Sequence, residues 1–160
     1  MIKRLTEEQA RQMLKSGSIA RLGCIANGKP YVTPIGYRYD DNFIYSHSLP
    51  GLKITALKNN PSACVQVDEV ENELCWRSVL AFGTFEEIVN PGERALILSR
   101  LLKTFPMLTP VESAIAEDAG APAAVVFRIK IDSLTGVSEG DASDKLLLIE
   151  DAADGSYVAA

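Results

Sequence analysis

A two-residue turn signal, Asn27-Gly28, separates two runs that are rich in strand-forming residues. Both residues tolerate positive φ angles, so this dipeptide is the strongest short hairpin signal available to a sequence. The pattern predicts a strand over residues 19–26 and a return strand over residues 31–39. Strands joined by so short a loop pair antiparallel, because a parallel pair needs a long crossover. An antiparallel sheet is therefore the first expectation for this chain.

The alternation of strands and turns continues along most of the chain, whereas helix signals are few. The predicted strands span residues 19–26, 31–39, 43–48, 63–68, 74–88 (with a bend or bulge at Gly83) and 123–131. The predicted helices span residues 7–15, 52–59, 91–104 and a short segment from Thr109. Because helices flank the strands rather than alternating with them, the expected class is α+β or mostly β. A small antiparallel barrel is favoured over a doubly wound sheet.

Length and charge exclude several classes of protein. A chain of 160 residues fits one domain, which we expect over residues 1–140, followed by a small, acidic tail over residues 141–160. An apolar patch at residues 146–149 of that tail could still pack or pair. Sixteen basic against 21 acidic residues leave a charge of −5, which argues against nucleic-acid binding because phosphate contacts need a basic face. No apolar run approaches the roughly 18 residues of a membrane helix, and the N-terminus does not read as a signal peptide.

Cysteine and histidine usage narrows the chemistry further. The three cysteines are Cys24, Cys64 and Cys75, an odd number without CxxC spacing. A disulfide framework or zinc site is therefore not expected, and a reducing cytoplasm is the expected location. His47 is the only histidine, so one subunit cannot build a multi-histidine metal site.

The segment over residues 45–53 carries the clearest functional signal. A predicted strand ends with Ser46, His47 and Ser48, a Pro-Gly turn follows, and Lys53 lies in the first turn of the next helix. Helix N-termini bind anions through free N–H groups and the helix dipole, so a lysine there makes sense beside a phosphate. The alternative is a solvated surface loop. His47 points to the opposite face from its two serine neighbours; facing inward it could touch a ligand, and facing outward it would be an ordinary surface residue.

Two further segments are candidates for binding. Arg77 stands between Trp76 and Ser78 in an apolar run, where an arginine needs an anion, a carboxylate partner or solvent. The alternative is an ion pair with Glu69, Glu71 or Glu73. Pro34 lies within the predicted return strand and removes one ladder donor, so neighbouring backbone groups could bond to a planar heterocycle. The alternative there is an ordinary edge strand.

Taken in order, these segments resemble the FMN-binding split-barrel superfamily, that of pyridoxamine 5′-phosphate oxidase. Within it, the chain most resembles the nitroimidazole-resistance, or 5-nitroimidazole reductase-like, branch. The resemblance covers roughly residues 5–138. The matching pieces are residues 30–35, Tyr45-Ser46-His47-Ser48 with Gly51 and Lys53, Ala56-Leu57 with Asn60-Pro61, Trp76-Arg77-Ser78-Val79 with Phe82-Gly83, and residues 129–131 with Thr135-Gly136.

The resemblance implies a six-stranded antiparallel split β-barrel with short flanking helices, forming a homodimer that binds FMN between its subunits. The implied cofactor-binding residues are Val32, Thr33, Pro34 and Ile35 along the isoalloxazine ring, Ser46, His47, Ser48 and Lys53 (nearest the phosphate), and Trp76, Arg77 and Ser78 from either subunit. His47 matches the histidine that the branch places beside its active site, and it is the implied catalytic residue. FMN itself carries out redox chemistry while the protein supplies position and electrostatics.

The implied activity is that of an FMN-dependent oxidoreductase acting on a small oxidised substrate, with a nicotinamide donor. His47 would orient the substrate or supply a proton, since its unperturbed pKa lies near 6.5. Pyridoxamine phosphate oxidase activity itself is doubtful, because the C-terminal region has no second histidine and is acidic. Two alternatives remain: a non-catalytic flavin-binding or sensing protein, and a cofactor-free barrel that serves as a protein-interaction module. A deazaflavin or heme in place of FMN also remains open.

Overall fold

The computed structural model describes residues 1–104 and 124–140. The helix predicted from Thr109 and the tail from residue 141 lie outside the described residues. In chain order the strands are β1 (Lys3–Arg4), β2 (Ile19–Ala26), β3 (Lys29–Gly36), β4 (Arg38–Asp40), β5 (Phe43–Ser48), β6 (Ser62–Asn72), β7 (Cys75–Glu87) and β8 (Val125–Glu139). The helices are α1 (Glu7–Ser16), α2 (Leu52–Asn59) and α3 (Pro91–Thr104). No helix within these two ranges is both long enough and apolar enough to cross a membrane.

The strands form one antiparallel sheet that curls into a barrel. Its hydrogen-bonded order is β3-β2-β6-β7-β8-β5-β4, and β1 pairs with β8. Strands β3 and β4 stand at opposite ends of this order, yet only Tyr37 separates them in the chain. The two ends of the sheet must therefore meet. The expected antiparallel split barrel with short flanking helices is confirmed.

The strand count differs from the expected six for two reasons. The predicted return strand over residues 31–39 divides at Tyr37, so that its first part pairs with β2 and its second part pairs with β5. The Tyr37 side chain is fully buried, and its hydroxyl donates to the Leu14 carbonyl at 2.7 Å. This anchor holds the chain at the corner between β3 and β4. The short strand β1 at the N-terminus adds to the count.

Two strands are also longer than predicted. Strand β6 continues to Asn72 instead of ending at residue 68, and β8 continues to Glu139 instead of residue 131. Both extensions pair with β7, where Glu69 lies opposite Arg77 and forms an ion pair with it. Cross-strand pairs of opposite charge stabilise strand pairing. The end of β6 is polar and lacks the alternation of apolar and polar residues from which a strand is predicted.

Local signals placed the helices and turns correctly. The Thr6 hydroxyl and the Gln9 side chain form the predicted capping box of α1, and Asn90 accepts the Glu93 N–H at the start of α3. Asn27 and Gly28 have the positive φ angles of the predicted hairpin turn. The register between β7 and β8 shifts at Gly83, as expected for a bulge.

The core has two parts. The main core fills the barrel and receives Leu14 from α1 and Leu57 from α2. A smaller apolar cluster lies beneath α3 and comprises Ile88, Ile97, Leu101 and Val126. We call this group the α3 cluster.

We expect Tyr37→Phe to lower the free energy of unfolding by about 1 kcal/mol near neutral pH, since it removes a buried hydrogen bond. Burial also raises the pKa of Tyr37 to about 12 from an ordinary value of 10.0. A phenol whose folded-state pKa is raised stabilises the fold below the unfolded pKa, and this contribution is lost between pH 10 and 12. Urea denaturation across that window should therefore show a smaller loss of stability in Tyr37→Phe than in wild type. Equal losses would contradict this assignment.

Candidate functional site

The outer edge of β3 is open among the described residues, because β3 pairs only with β2. The Tyr37 N–H donates to the Ser18 carbonyl at 2.9 Å. Since bonded and non-bonded pairs alternate along an antiparallel ladder, Thr33 and Ile35 direct their backbone groups to β2. Val32 and Pro34 direct theirs to the open edge. Pro34 therefore marks an edge, which was one of the alternatives that the sequence left open, with a bulge or a bound group as the others.

The edge has few hydrogen-bond donors. Pro30 and Pro34 lack an N–H and flank Val32, whose N–H points outward between them. The carbonyl groups of the same three residues also point outward. Strand edges with proline resist pairing with another strand, so this edge offers a defined set of polar groups without inviting sheet extension.

The four predicted β3 residues divide between two faces. The Val32 side chain is 63% exposed on the outer face of the barrel, and Pro34 is exposed on the same face. Ile35 is buried in the barrel core, and Thr33 is half-buried on the inner face. Val32 and Pro34 are therefore the two of these side chains that are exposed at the surface of this chain.

Ser46 and Ser48 at the end of β5 bond to backbone carbonyls. Ser46 is fully buried, and its hydroxyl donates to the Gly36 carbonyl at 2.7 Å. This bond joins β5 to the end of β3, where the two ends of the sheet meet. We call this junction the seam. The Ser48 hydroxyl donates to the Leu49 carbonyl at 3.0 Å. Both side chains thus have a role in the fold that sequence reasoning did not assign.

His47 points to the outside of the barrel but is not solvated. It pairs with Val126 of β8, a member of the α3 cluster, and both of its ring nitrogens are shielded from solvent. His47 is therefore neither an inward-facing residue nor an ordinary solvated surface residue, which were the two predicted alternatives. His47 is outside the barrel, in a sheltered position beside the seam.

Lys53 lies in the first turn of α2, next to β2. The N-cap residue of this helix is Gly51, which has no side chain to bond the first-turn N–H groups. Burial raises the pKa of the Cys24 thiol, and the positive charge of Lys53 opposes that shift. Lys53 is therefore close to Cys24, which pairs with Tyr31 of β3. The Ser46 hydrogen bond joins the end of β5 to the end of β3, while α2 follows β5 in the chain and packs against β2.

The predicted residues of β7 do not join this group within one chain. Three strand steps separate β7 from β3 in the sheet, roughly 14 Å at the usual strand spacing. Arg77 forms the ion pair with Glu69 that was the alternative prediction. The Ser78 hydroxyl accepts a hydrogen bond from Gln66 at 3.1 Å, and Trp76 is half-buried.

Sequence reasoning missed Arg21, a cation on the same outer face as Val32. Arg21 pairs with Pro34 across β2 and β3, and its guanidinium forms an ion pair with Asp68. Its position follows from the two-residue period of a strand, because buried and less buried residues alternate along β2 and Arg21 falls at an exposed position. The cation could therefore have been placed on the outer face from the period of the strand.

The outer face also carries exposed apolar side chains. Val32 is accompanied by Ile19 and Ile25 of β2 and by Phe82 of β7, each at least 42% exposed. We call this set the outer apolar face. Adjacent exposed apolar residues on one sheet face are typical of an interaction surface.

Comparison with known proteins places this architecture among related chains. The family model described as pyridoxamine 5′-phosphate oxidase matches residues 6–138. An uncharacterized protein from Rhizobium meliloti (strain 1021) is 30% identical over 138 residues, covering 82% of this chain and 91% of the relative.

Solved structures show the same fold. An FAD-binding protein from Mesorhizobium loti is 28% identical with a TM-score of 0.71, covering 88% of this chain and 99% of that one. A candidate 5-nitroimidazole antibiotic resistance protein from Bacteroides thetaiotaomicron is 20% identical with a TM-score of 0.66, covering 86% and 89%. At 20% identity the likeness to the second protein concerns the fold alone.

Proposed function

This chain belongs to the pyridoxamine 5′-phosphate oxidase family, and on that premise we propose that it is an FMN-dependent oxidoreductase acting on a small oxidised substrate. The proposed cofactor site is the barrel seam formed by the β3 edge, the end of β5 and the start of α2. The proposed donor is a reduced nicotinamide. The Mesorhizobium loti relative is described as an FAD-binding protein, which supports a flavin at this fold.

The observation that carries the proposal is the polar pattern of the β3 edge. An isoalloxazine ring has a polar end with carbonyl acceptors and an N–H donor, and the rest of it is planar and largely apolar. The Val32 N–H and the outward carbonyl groups complement that polar end. The exposed Val32 and Pro34 side chains offer apolar contact to the ring. The residues present therefore fit a flavin.

The start of α2 fits the phosphate of the same cofactor. First-turn N–H groups and the positive end of a helix dipole attract anions, and Gly51 supplies no competing side-chain cap. A lysine is unfavourable in the first turn unless an anion or solvent faces it. Lys53 is half-buried there, which supports a phosphate contact.

A second copy of the chain is part of the proposal. Trp76 and Ser78 lie on the same outer face as Val32 but too far from the β3 edge to reach the same ligand. In a homodimer that joins the outer apolar faces, the partner could bring these two side chains to the cleft. Arg77 points to the other face of β7, where it is paired with Glu69.

The flavin, when bound, supplies two-electron redox chemistry. The chain's own contribution is to hold the ring along β3, to neutralise the phosphate with Lys53 and to place His47 beside the seam. The shielded imidazole of His47 is suited to orient a substrate or to deliver a proton. No other titratable group at the seam is needed for that role.

The direct test is turnover. The purified chain loaded with FMN should oxidise NADH or NADPH when a 5-nitroimidazole or another small oxidised acceptor is present. Flavin binding without oxidation of either nicotinamide by any acceptor would favour the non-catalytic flavin-binding alternative. Absence of flavin binding would favour the alternative of a cofactor-free barrel that serves as a protein-interaction module.

We expect Lys53→Ala to weaken FMN binding by about 1–2 kcal/mol, because one charge-assisted contact with the phosphate is removed. The control is Lys58→Ala in the same helix, which breaks an ion pair with Glu87 but is remote from the first turn. Fluorescence titration of both variants measures the effect. Equal affinity in the Lys53 and Lys58 variants would mean that the phosphate lies elsewhere.

A further inference from the structure

We propose that Arg128 is a positioning residue for the face of β5 that carries His47, an inference that rests on the proposed function. Arg128 lies in β8 and connects three neighbouring elements. Its Nε donates to Glu86 of β7 at 2.7 Å, and its Nη1 donates to Glu93 of α3 at 3.1 Å. Its guanidinium carbon also lies 4.7 Å from the centre of the Phe43 ring in β5.

Tyr45, Arg128 and Glu86 lie on one row of the sheet. Arg128 pairs with Tyr45 on one side and with Glu86 on the other, and residues paired in this way point to the same face. The hydrogen bond to Glu86 contributes most to the raised pKa of Arg128, and a hydrogen bond to Tyr45 adds to it. Tyr45 in turn packs against the α3 cluster. Arg128 thus joins the Phe43 end of β5 to the first turn of α3.

His47 lies in the next row. It pairs with Val126, which belongs to the α3 cluster together with Ile97 and Leu101 of α3. The strand neighbour of His47 is thus part of the apolar cluster on which α3 packs. The first turn of α3 is tied to the sheet by Glu93 on Arg128 and by Arg94, which donates to the Ala124 carbonyl at 2.6 Å. Loss of Arg128 removes one of these ties and also its contact with the Phe43 ring.

Arg11 provides a matched control on the opposite face of β4 and β5, where its partner Tyr39 packs against the main core instead of the α3 cluster. Its guanidinium donates to Glu7 within α1 and to the Tyr39 hydroxyl at 2.8 Å, so it too ties a helix to the sheet. Hydrogen bonding to Glu7 raises the pKa of Arg11, as Glu86 does for Arg128. Arg11→Met should therefore lose stability comparable to that of Arg128→Met, without any effect at the seam.

The first measurement needs no cofactor. His47 is the only histidine, so the chain gives one imidazole Cε1–H resonance in its NMR spectrum. We expect Arg128→Met to shift this resonance by more than its wild-type line width or to broaden it. Arg128→Lys should bring the resonance part of the way back to its wild-type position and width. Arg11→Met should leave the resonance in place. An unchanged His47 resonance in Arg128→Met would overturn the proposal.

The second measurement uses the flavin-loaded protein. Arg128→Met should lower kcat roughly 10-fold while KM and flavin affinity change by less than about 2-fold, since a displaced His47 affects turnover more than binding. Equal kcat in Arg128→Met and Arg11→Met would contradict the positioning role. If wild type shows no turnover, the proposed function fails, and the NMR comparison still decides whether Arg128 positions His47.

Discussion

Replacing His47 with alanine is expected to leave flavin affinity nearly unchanged and to lower turnover roughly 100-fold, the lower range for loss of a positioned acid or base. The imidazole belongs to neither the β3 edge nor the first turn of α2, so its removal leaves the proposed ring and phosphate contacts in place. Steady-state kinetics with NADH and a small oxidised acceptor, together with FMN titration, measure the two quantities separately.

The conservative variant His47→Gln separates the two roles of the side chain. Glutamine can still donate and accept hydrogen bonds, but it cannot carry a proton near neutral pH. Recovery of turnover in His47→Gln would assign orientation of the substrate, and continued loss would assign proton delivery. Full turnover of His47→Ala on every accepted substrate would contradict both.

Gly83→Ala is expected to destabilise the fold by about 4 kcal/mol, near the upper end for a single substitution. A Cβ atom at Gly83 would collide with the backbone carbonyl of Lys130 and would lie 2.8 Å from the Ile129 side chain. Backbone on the neighbouring strand cannot rotate away as a side chain can, so β7 and β8 would have to separate at the bulge. Urea denaturation monitored by the fluorescence of the single tryptophan measures the loss.

Gly92→Ala is the control for this substitution. Gly92 lies in the first turn of α3, where an added Cβ has no contact closer than 3.4 Å. Alanine favours helix more than glycine does, so this variant should be neutral or more stable by less than about 1 kcal/mol. A Gly83→Ala loss below about 1 kcal/mol would mean that the bulge is more open than its geometry indicates.

Features that depend on neighbouring residues could be predicted from the sequence. The Asn27-Gly28 turn, the capping box at Thr6 and the glycine bulge at Gly83 each follow from the chemistry of a few adjacent residues. The division of the predicted strand at Tyr37 could not be foreseen, because it depends on a hydrogen bond to Leu14, which lies 23 residues earlier in the chain. Pro34 restricted its strand position to an edge, a bulge or a place where another group sits, and the pairing with β2 alone decides for the edge.

The same distinction between signals from adjacent residues and signals from distant residues applies to the candidate site. Ser46, His47, Ser48 and Lys53 were grouped by their spacing, and their grouping into one cofactor site remains a prediction. Their individual environments could not be read from spacing, because partners such as the Gly36 carbonyl come from another strand. Arg128 was overlooked because its partners Glu86 and Glu93 are 42 and 35 residues away, and only the strand register brings them together.

We propose that the open β3 edge binds a flavin through the Val32 backbone. Residue 32 directs its N–H away from β2, so Val32→Pro removes the donor without breaking the ladder, and Val32→Ala retains it. Titration of these variants with FMN and with FAD, followed by flavin fluorescence, tests the claim most directly. We expect one flavin per chain in wild type and Val32→Ala, and about 10-fold weaker binding, or 1.4 kcal/mol, in Val32→Pro. No flavin binding by wild type, or equal affinity in the alanine and proline variants, would contradict it.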